Sequence, residues 1–471
     1  MKLTARQAVT ACVALSVCAV LLVPGVVEGL DVDGRITLLV FAVATCAWIG
    51  TAVDDTYIAL GAGLVLAAAG VISSDTLFAT LGDSTVWLLI CAFVIAAAVS
   101  RSGLAGRAAA FLVGGARTVR QLVHLTTAAL VLTAFAVPAT SGRAALALPV
   151  FLALARVLSD RKRLVVMLAL LFPTVILLSA VATLIGAGAH LITVSVLWEV
   201  TGQRVGFTQW LLLGLPLAVV SSHLAAELVL LTTTGRADRR GPVRIGVEEI
   251  QRHSDKPVTG PLEPGEARCA MLLGTVVVLW CSEPLHGVSP ALVALIGAVV
   301  AASPALGTVR LKDALSTVPW SLLLFMAATM AMGAALSQSG AAEWLVSGLP
   351  TGAGVPTWAF LGVVVVLSTA AHLVLQSRSA RSSVLVPLVV AAAAGLGINP
   401  VAAALASTAA AGFCHTLPAS AKPVALFADV PGVPTYTPRD LLRLSAVLAP
   451  LSAAVVLLFA LGVWPLLGVA P

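Results

Sequence analysis

Apolar segments long enough to cross a lipid bilayer recur along almost the whole chain. A membrane-spanning helix needs about 20 predominantly apolar residues. Hydrophobic residues fill 59% of the 471 positions and charged residues only 10%, whereas a soluble domain carries about 25% charged residues. The sequence therefore predicts an all-α integral membrane protein. We expect about eleven membrane crossings, near 8–29, 35–53, 57–73, 84–100, 163–197, 208–233, 268–283, 287–303, 319–337, 400–428 and 441–466.

Two further apolar segments, near 121–157 and 357–397, are each interrupted by a short polar run. Non-helical backbone at membrane depth is tolerated only where protein or a water-filled cavity surrounds it. Each segment is therefore predicted to form a re-entrant hairpin, with two half-length helices and a polar tip. The tips read Ala139-Thr140-Ser141-Gly142-Arg143 and Gln376-Ser377-Arg378-Ser379-Ala380-Arg381.

The distribution of positive charge predicts the orientation of the chain. Cytoplasmic loops of membrane proteins carry an excess of Lys and Arg. With a cytoplasmic N-terminus, only two of the 27 Lys and Arg residues, Arg35 and Arg204, fall on outer loops. This bias predicts a multi-pass protein of the cell membrane with an external C-terminus. Four cations lie inside apolar segments and need a separate explanation: Arg143, Arg378, Arg381 and Lys422.

The two halves of the chain resemble each other. Arg143 lies six residues before Pro149 in the first hairpin, and Arg381 lies six residues before Pro387 in the second. By the charge-based topology, the two hairpins enter the membrane from opposite sides. An inverted repeat of this kind is typical of secondary transporters, which bind their substrates near the bilayer midplane between the repeats.

The repeat divides the chain into five predicted segments. Residues 1–105 would form the scaffold helices of the first repeat, and 106–233 its hairpin and transport helices. The polar, Arg-rich stretch 234–267 is predicted to be a cytoplasmic linker. Residues 268–340 would form the scaffold helices of the second repeat, and 341–471 its hairpin and transport helices.

Two interrupted helices carry motifs that resemble a known family. They read Thr183-Leu184-Ile185-Gly186-Ala187-Gly188-Ala189-His190 and Leu417-Pro418-Ala419-Ser420-Ala421-Lys422-Pro423-Val424. With the paired hairpins, they are similar to the divalent anion/sodium symporter family, whose broken helices read Thr-Leu-Ile-Gly-Thr-Pro-Pro-Asn and Leu-Pro-x-x-Thr-Pro-Pro-Asn. The resemblance covers nearly the whole chain. It implies a carrier of dicarboxylates, citrate or sulfate that forms a homodimer and moves its hairpins against a fixed scaffold, like an elevator.

The chain departs from this family where the family binds sodium. The family's hairpin tips read Ser-Asn-Thr, and two positions after these triplets this chain has Arg143 and Arg381. His190 replaces an Asn and Lys422 replaces a Pro. Because an Arg repels a nearby sodium ion, we expect that sodium is not the obligatory coupling ion. His190 is a candidate for coupling a proton instead.

The internal cations are the leading candidates for substrate binding. Guanidinium groups bind carboxylate, phosphate or sulfate through charge-assisted hydrogen bonds. The alternatives are pairing with an internal carboxylate or with carbonyls at a helix end, or snorkelling to the surface. The predicted substrate-binding residues are Arg143, Arg381, Arg378, Lys422, Thr140, Ser141, Ser377, Ser379 and Ser420. Roles in ion coupling or tip backbone are predicted for Gly142, Gly186, Ala187 and His190.

These features favour a secondary transporter of a small, multiply charged anion such as a dicarboxylate or sulfate. One alternative is an arsenite or sodium/proton carrier of the wider superfamily. Such carriers usually need a buried carboxylate, and Glu227 and Asp429, the internal acids in this sequence, are predicted near helix ends. An anion channel is a second alternative, because a cationic pore also selects anions.

Other classes of function lack support in the sequence. An enzyme would need a nucleophile or a metal-binding set, and no such motif is present. The seven Cys residues form no Cys-x-x-Cys pair and are predicted to be small buried hydrophobes. We expect a small anion, the lipid bilayer and a second copy of the chain as partners. Neither nucleic acid nor a cofactor is expected, apart from sodium or a proton as coupling ion.

Overall fold

The computed structural model describes residues 29–243, 245–252, 257–347 and 354–471, and every named element within them is a helix. The prediction of an all-helical membrane protein is confirmed. Eight helices in this part of the chain are long and apolar enough to span a membrane: Val32–Gly50, Ser74–Ser102, Thr140–Val157, Lys162–Ala182, Phe207–Thr233, Pro264–Cys281, Trp320–Gln338 and Pro438–Val463. Six shorter apolar helices of 10–17 residues accompany them: Asp55–Ala68, Leu104–Val113, Val119–Phe135, Pro290–Ala301, Thr357–Leu373 and Pro400–Ala410.

The count of eleven crossings stays a prediction. Of the first predicted crossing, 8–29, only the last residue belongs to the described part of the chain. The remaining α-helices of the described chain are Gly188–Thr201, Arg378–Gly395 and six short ones: Arg236–Arg240, Val247–Arg252, Glu283–His286, Leu311–Leu315, Ala341–Ser347 and Lys422–Ala428.

The first hairpin consists of the helices Val119–Leu132 and Thr140–Val157. A short 3-10 turn, Thr133–Phe135, ends its first arm. Ala139, at the tip, has a φ of 102°, and among the described residues it is the one non-glycine with positive φ. Such a conformation costs roughly 1–3 kcal/mol and persists only where the surrounding structure holds it. The first tip is therefore a strained turn.

The second hairpin consists of the helices Thr357–Ala370 and Arg378–Gly395. Its tip is capped conventionally, because the Ser377 side chain accepts a hydrogen bond from the backbone N–H of Ala380. Ser is a favoured residue for this capping position. The predicted polar interruptions of both apolar segments thus coincide with the turns between two helical arms.

Two broken helices repeat the same backbone geometry. The first runs through Lys162–Leu178, breaks, and resumes at Gly188–Thr201; the second runs through Pro400–Ala410 and resumes at Lys422–Ala428. Before the short 3-10 turn in each break, Thr183 has φ −130° and ψ 152°, and Leu417 has φ −129° and ψ 151°. After the turn, Ala187 has φ −158° and ψ 148°, and Ala421 has φ −155° and ψ 146°. The internal repeat found in the sequence therefore extends to the backbone of the breaks.

The hairpins and broken helices pack reciprocally. The second arm of the second hairpin packs against Gly188–Thr201, beyond the first break. The second arm of the first hairpin packs against Lys422–Ala428, beyond the second break. Thr193 and Thr408 join the two broken helices through a buried bond of 2.6 Å between their hydroxyls. Each tip is thereby held next to a break.

The predicted linker is docked onto the first hairpin. The backbone N–H of Val243 donates to the carbonyl of Arg117 at 3.1 Å. Arg107 and Glu266 form a buried ion pair, with Nε and Oε1 separated by 3.0 Å. These contacts connect the segment between the repeats with the helices on either side.

Candidate functional site

Arg143 is completely buried and surrounded by protein oxygen atoms. Its Nε donates to Thr133 Oγ1 at 2.9 Å, and its Nη1 donates to the Ile176 carbonyl at 3.0 Å. Its Nη2 donates to the Leu130 carbonyl at 2.7 Å and to Ser179 Oγ at 2.6 Å. Four of the five guanidinium N–H groups therefore bind oxygens near the ends of two helices. This is the helix-carbonyl alternative that the sequence left open.

Arg381, the equivalent residue of the second repeat, is equally buried but poorly paired. Its Nη2 lies 2.6 Å from Cys414 Sγ, whereas its Nε and Nη1 have no hydrogen-bond partner in the protein. The sequence explains the difference. Thr133 lies ten residues before Arg143, and ten before Arg381 is Ala371; Ser179 lies four residues before Thr183, and four before Leu417 is Phe413.

Arg378 joins the second hairpin tip to the first break. Its Nη2 lies 3.0 Å from His190 Nε2, while its Nε and Nη1 are buried without a partner. His190 Nδ1 lies 3.0 Å from the Thr183 carbonyl. Because a carbonyl only accepts and a guanidinium only donates, the partners assign the proton to Nδ1 and leave Nε2 as the acceptor. The ring also stacks on Trp210, with centroids 4.9 Å apart.

The three guanidinium groups form one electropositive cluster. Arg378 interacts electrostatically with both Arg143 and Arg381. None of the ion pairs among the described residues includes a member of this cluster. A buried charge without a partner is strongly unfavourable, and each unpaired donor adds roughly 1–3 kcal/mol. An anion bound at the cluster would therefore neutralise its positive charge and accept hydrogen bonds from its unpaired N–H groups.

The predicted hydroxyl groups are divided between different surroundings. Ser377 and Ser379 are half-buried at the second tip, beside Arg378. Ser420 instead accepts a hydrogen bond from the Leu417 N–H at 2.9 Å and thus closes the turn of the second break. At the first tip, Thr140 is half-buried and Ser141 is exposed.

The remaining predicted site residues lie at different places in the structure. A side chain at Gly186 would place its Cβ 2.1 Å from the Ala180 carbonyl, so only glycine fits this break. Ala187 is buried in extended conformation next to it. Gly142 lines a cavity at the first tip. Lys422 begins a helix and is exposed, so the structure does not bring it into the buried cluster.

A cavity of about 700 Å³ separates the first hairpin from the scaffold helix within Ser74–Ser102. It extends from Gly142 and Pro149 to Arg101 and Asp313, which the charge distribution assigns to the cytoplasmic side. The hydrogen bond from Arg310 holds the pKa of the Asp313 carboxyl below its usual range. The first hairpin tip is thus accessible from the side with the higher density of positive charge.

Two relevant residues were not predicted from the sequence. Asp55 begins the helix Asp55–Ala68, is half-buried, and interacts electrostatically with the Ser377 side chain at the second tip. Like Glu227 and Asp429, Asp55 lies near a helix end, but the sequence did not single it out. The sequence signal that could have identified Asp55 is the Asp54-Asp55 pair between two apolar segments. Cys414 contacts Arg381 and is more than a packing residue.

The expectation that the Cys side chains are all buried is wrong. Cys281 is exposed and Cys46 is half-buried. The five cysteines in the described ranges are free thiols, and Cys12 and Cys18 lie outside those ranges.

Comparison with known proteins agrees with this architecture. A sequence model described as the sodium:sulfate symporter transmembrane region matches residues 5–470. The chain belongs to the sodium:sulfate symporter family. The predicted resemblance to divalent anion/sodium symporters is thereby confirmed, and membership identifies the chain as a membrane transporter of the anion and solute class.

Two proteins similar to this sodium:sulfate symporter family member are distant in sequence. A protein of Cupriavidus necator described as a membrane protein is 27% identical over 469 residues, with 94% of this chain and 89% of that protein covered. The crystal structure of the Alcanivorax borkumensis YdaH transporter superposes with a TM-score of 0.57 and 18% identity. The alignment covers 93% of this chain and 99% of the YdaH chain, so the two share a fold.

Proposed function

We propose that this protein is a secondary transporter of a small, multiply charged anion, and that Arg378 and Arg381 bind the anion. The observation that carries the proposal is the set of four buried nitrogen atoms without a partner, Nε and Nη1 of both residues. An anion with several oxygens, such as sulfate, phosphate or a dicarboxylate, can accept from donors on both side chains. Ser377 and Ser379 flank Arg378 and offer additional hydroxyl groups.

Arg143 has a different role in this proposal. Its guanidinium lies among the Leu130 and Ile176 carbonyls and two hydroxyls. Oxygen ligands of this kind are those that hard cations prefer. Arg143 would then be a tethered cation that replaces a sodium ion. A sodium ion about 5 Å away would meet roughly 3 kcal/mol of repulsion at an effective dielectric constant near 20. Transport without obligatory sodium follows from this arrangement.

The packing supports movement of the hairpins relative to the scaffold. A cavity opens beside the first hairpin. On the opposite side of the repeat, Gly188 approaches Leu322 at the start of the scaffold helix Trp320–Gln338. By the charge-based topology, that start is the cytoplasmic end of the helix. These contacts support the proposal of an inward-facing state, in which a transport unit with both hairpins would lie toward the cytoplasm.

Solute counterflow in proteoliposomes tests the proposed function. Vesicles loaded with unlabelled sulfate, phosphate, succinate or citrate, in sodium-free buffer, would receive the same labelled anion outside. A carrier exchanges the two pools and accumulates label transiently, whereas a channel does not. Counterflow for at least one multiply charged anion is the expected result. No counterflow for any of them, either in this buffer or after sodium is added, would contradict the proposal.

A further inference from the structure

The end of the second broken helix contacts both of the poorly paired Arg residues. After Pro400–Ala410, the backbone N–H of Gly412 donates to the carbonyl three residues earlier at 3.0 Å, so the helix tightens into one last turn before the break. This turn brings Cys414 Sγ within 2.6 Å of Arg381 Nη2. A side chain at Gly412 would place its Cβ 3.0 Å from Arg378 Nη2, so the guanidinium occupies the space that glycine leaves free.

The Cys414 thiol lies between the Arg381 guanidinium and the end of the helix. Its sulfur accepts from Arg381 Nη2, and its S–H can donate to the Ala411 or the Gly412 carbonyl, each 3.7 Å away. Cys414 is 2% exposed and Arg381 is completely buried. The bond between the thiol and the guanidinium is therefore shielded from solvent.

The first repeat has a hydroxyl in the same role. Ser179, directly after the helix Lys162–Leu178, donates from Oγ to the Val175 carbonyl at 2.5 Å. The same Oγ accepts from Arg143 Nη2 at 2.6 Å. Each repeat therefore places one small side chain between its buried Arg and the carbonyls that end its broken helix. The first repeat uses oxygen at this place, and the second uses sulfur.

Oxygen and sulfur differ as hydrogen-bond partners. A hydroxyl donates and accepts well, whereas a thiol does both weakly. Arg143 also donates to three further oxygens, but Nε and Nη1 of Arg381 have no partner. A guanidinium holds its five N–H groups in a fixed plane, and Nη2 belongs to both two-pronged edges, one with Nε and one with Nη1. An oxyanion bound to Arg381 through two parallel bonds would thus lie beside the Cys414 sulfur.

We propose that Cys414 is a positioning residue of the anion site, whose weakly accepting sulfur holds Arg381 in the empty carrier and yields the guanidinium to the anion. The inference rests on the proposed function, in which Arg381 binds the anion. A weak acceptor leaves most of the hydrogen-bonding capacity of Arg381 to the ligand. A stronger acceptor at this position would compete with the anion and make Arg381 resemble Arg143. The side chain at position 414 therefore sets the affinity for the anion.

Replacement of the thiol by a hydroxyl or by a methyl group should change anion affinity in opposite directions. Cys414→Ser supplies a stronger acceptor, so the anion concentration that gives half-maximal stabilisation should rise about tenfold. Cys414→Ala removes the acceptor, and this variant should need a few-fold less anion than wild type. Melting temperatures of the purified proteins against sulfate, phosphate, succinate and citrate, in choline buffer, measure both effects. A cysteine that only packs, or only keeps Arg381 in place, would instead make Cys414→Ala the weaker binder.

Melting temperatures without anion provide a second readout. Cys414→Ser should melt above wild type and Cys414→Ala below it, because the first strengthens and the second removes the partner of a buried charge. Both differences should shrink in an Arg381→Met background, where no N–H remains to donate. Cys91, on the scaffold helix Ser84–Ser102, is also 2% exposed. Cys91→Ser and Cys91→Ala are therefore matched controls and should leave the anion response unchanged.

These measurements separate the role of Cys414 from the proposed function. If no anion stabilises the wild type, the proposed function fails, and the melting temperatures without anion still decide whether Cys414 holds Arg381. Three results would overturn the role of Cys414: a Cys414→Ser variant that binds the anion as tightly as wild type, a Cys414→Ala variant that binds it more weakly, or stability differences that persist in the Arg381→Met background.

Discussion

Arg378 and His190, 188 residues apart in the sequence, meet through a 3.0 Å bond between Nη2 and Nε2. The bond connects the second hairpin tip with the first broken helix, so one residue from each repeat contributes to the same cluster. His190 is fixed by Thr183 on one side and by Trp210 on its face. The lone pair of His190 Nε2 accepts the hydrogen bond from Arg378. In this state the imidazole therefore orients a cation, and neither ring nitrogen is available for a coupling proton.

Substitution of His190 distinguishes these two roles. His190→Gln keeps a hydrogen-bond acceptor, and we expect the Michaelis constant for the transported anion to change by only a few-fold. His190→Leu removes the acceptor that orients the Arg378 guanidinium, so affinity should fall about tenfold. Uptake kinetics at several pH values provide the measurement. A pH response that disappears in His190→Gln would instead identify His190 as the proton carrier.

Replacement of Arg143 tests the tethered-cation interpretation. Arg143→Ser leaves the Leu130 and Ile176 carbonyls without their cation. We expect the variant to be less stable than wild type and to regain stability in sodium. At a hundredfold excess over the dissociation constant, a bound ion contributes about 2.7 kcal/mol.

Melting temperatures in sodium chloride and choline chloride measure this effect. The exposed Arg204 stacks on Trp198 and provides the control variant Arg204→Ser, which should show no response to sodium. An identical sodium response in wild type and Arg143→Ser would rule out the tethered cation.

The backbone of the first break requires glycine. In Gly186→Ala, the new Cβ would approach the Ala180 carbonyl to 2.1 Å, so the turn cannot keep its shape. We expect this variant to lose transport and much of its thermal stability. Gly333→Ala is a matched control, because a Cβ there meets open space, and Ala is the better helix former by about 1 kcal/mol. Equal thermal stability of the two variants would show that the break is more adaptable than its geometry indicates.

The same Arg residues lead us to predict that uptake does not require sodium. Wild-type proteoliposomes should take up sulfate at similar rates in sodium and in choline buffer, at matched pH and membrane voltage. The reason is the roughly 3 kcal/mol of repulsion expected for sodium about 5 Å from a guanidinium. A steep dependence on sodium, with uptake lost in choline, would show that the tips still hold the ion.

Much of the fold was readable from the sequence because it depends on local patterns. Apolar length predicts the helices, and the polar interruptions at 139–143 and 376–381 coincide with the two hairpin tips. The match between the motifs at 183–190 and 417–424 reflects backbone angles that agree within a few degrees at Thr183 and Leu417. These features are local and repeated, so a single chain suffices to find them.

The different hydrogen bonding of the Arg residues could not be predicted from the sequence. Arg143 and Arg381 have the same spacing to a Pro. Arg143 donates hydrogen bonds to Thr133 and Ser179. The equivalent positions near Arg381 are occupied by Ala371 and Phe413, whose side chains cannot accept. Such partners come from other helices and depend on packing. Asp55 was missed for the same reason, because only tertiary structure brings it to Ser377.

The most direct test of the account is binding of anions to purified protein with and without the unpaired guanidinium groups. Melting temperature would be followed against sulfate, phosphate, succinate and citrate in choline buffer, for wild type, Arg378→Gln, Arg381→Gln and the control Arg204→Gln. A charge-assisted bond contributes a few kcal/mol, so either cluster variant should need on the order of a hundredfold more anion for the same stabilisation. Wild type and Arg204→Gln should respond alike. Equal anion stabilisation of all four proteins would contradict an anion site at Arg378 and Arg381.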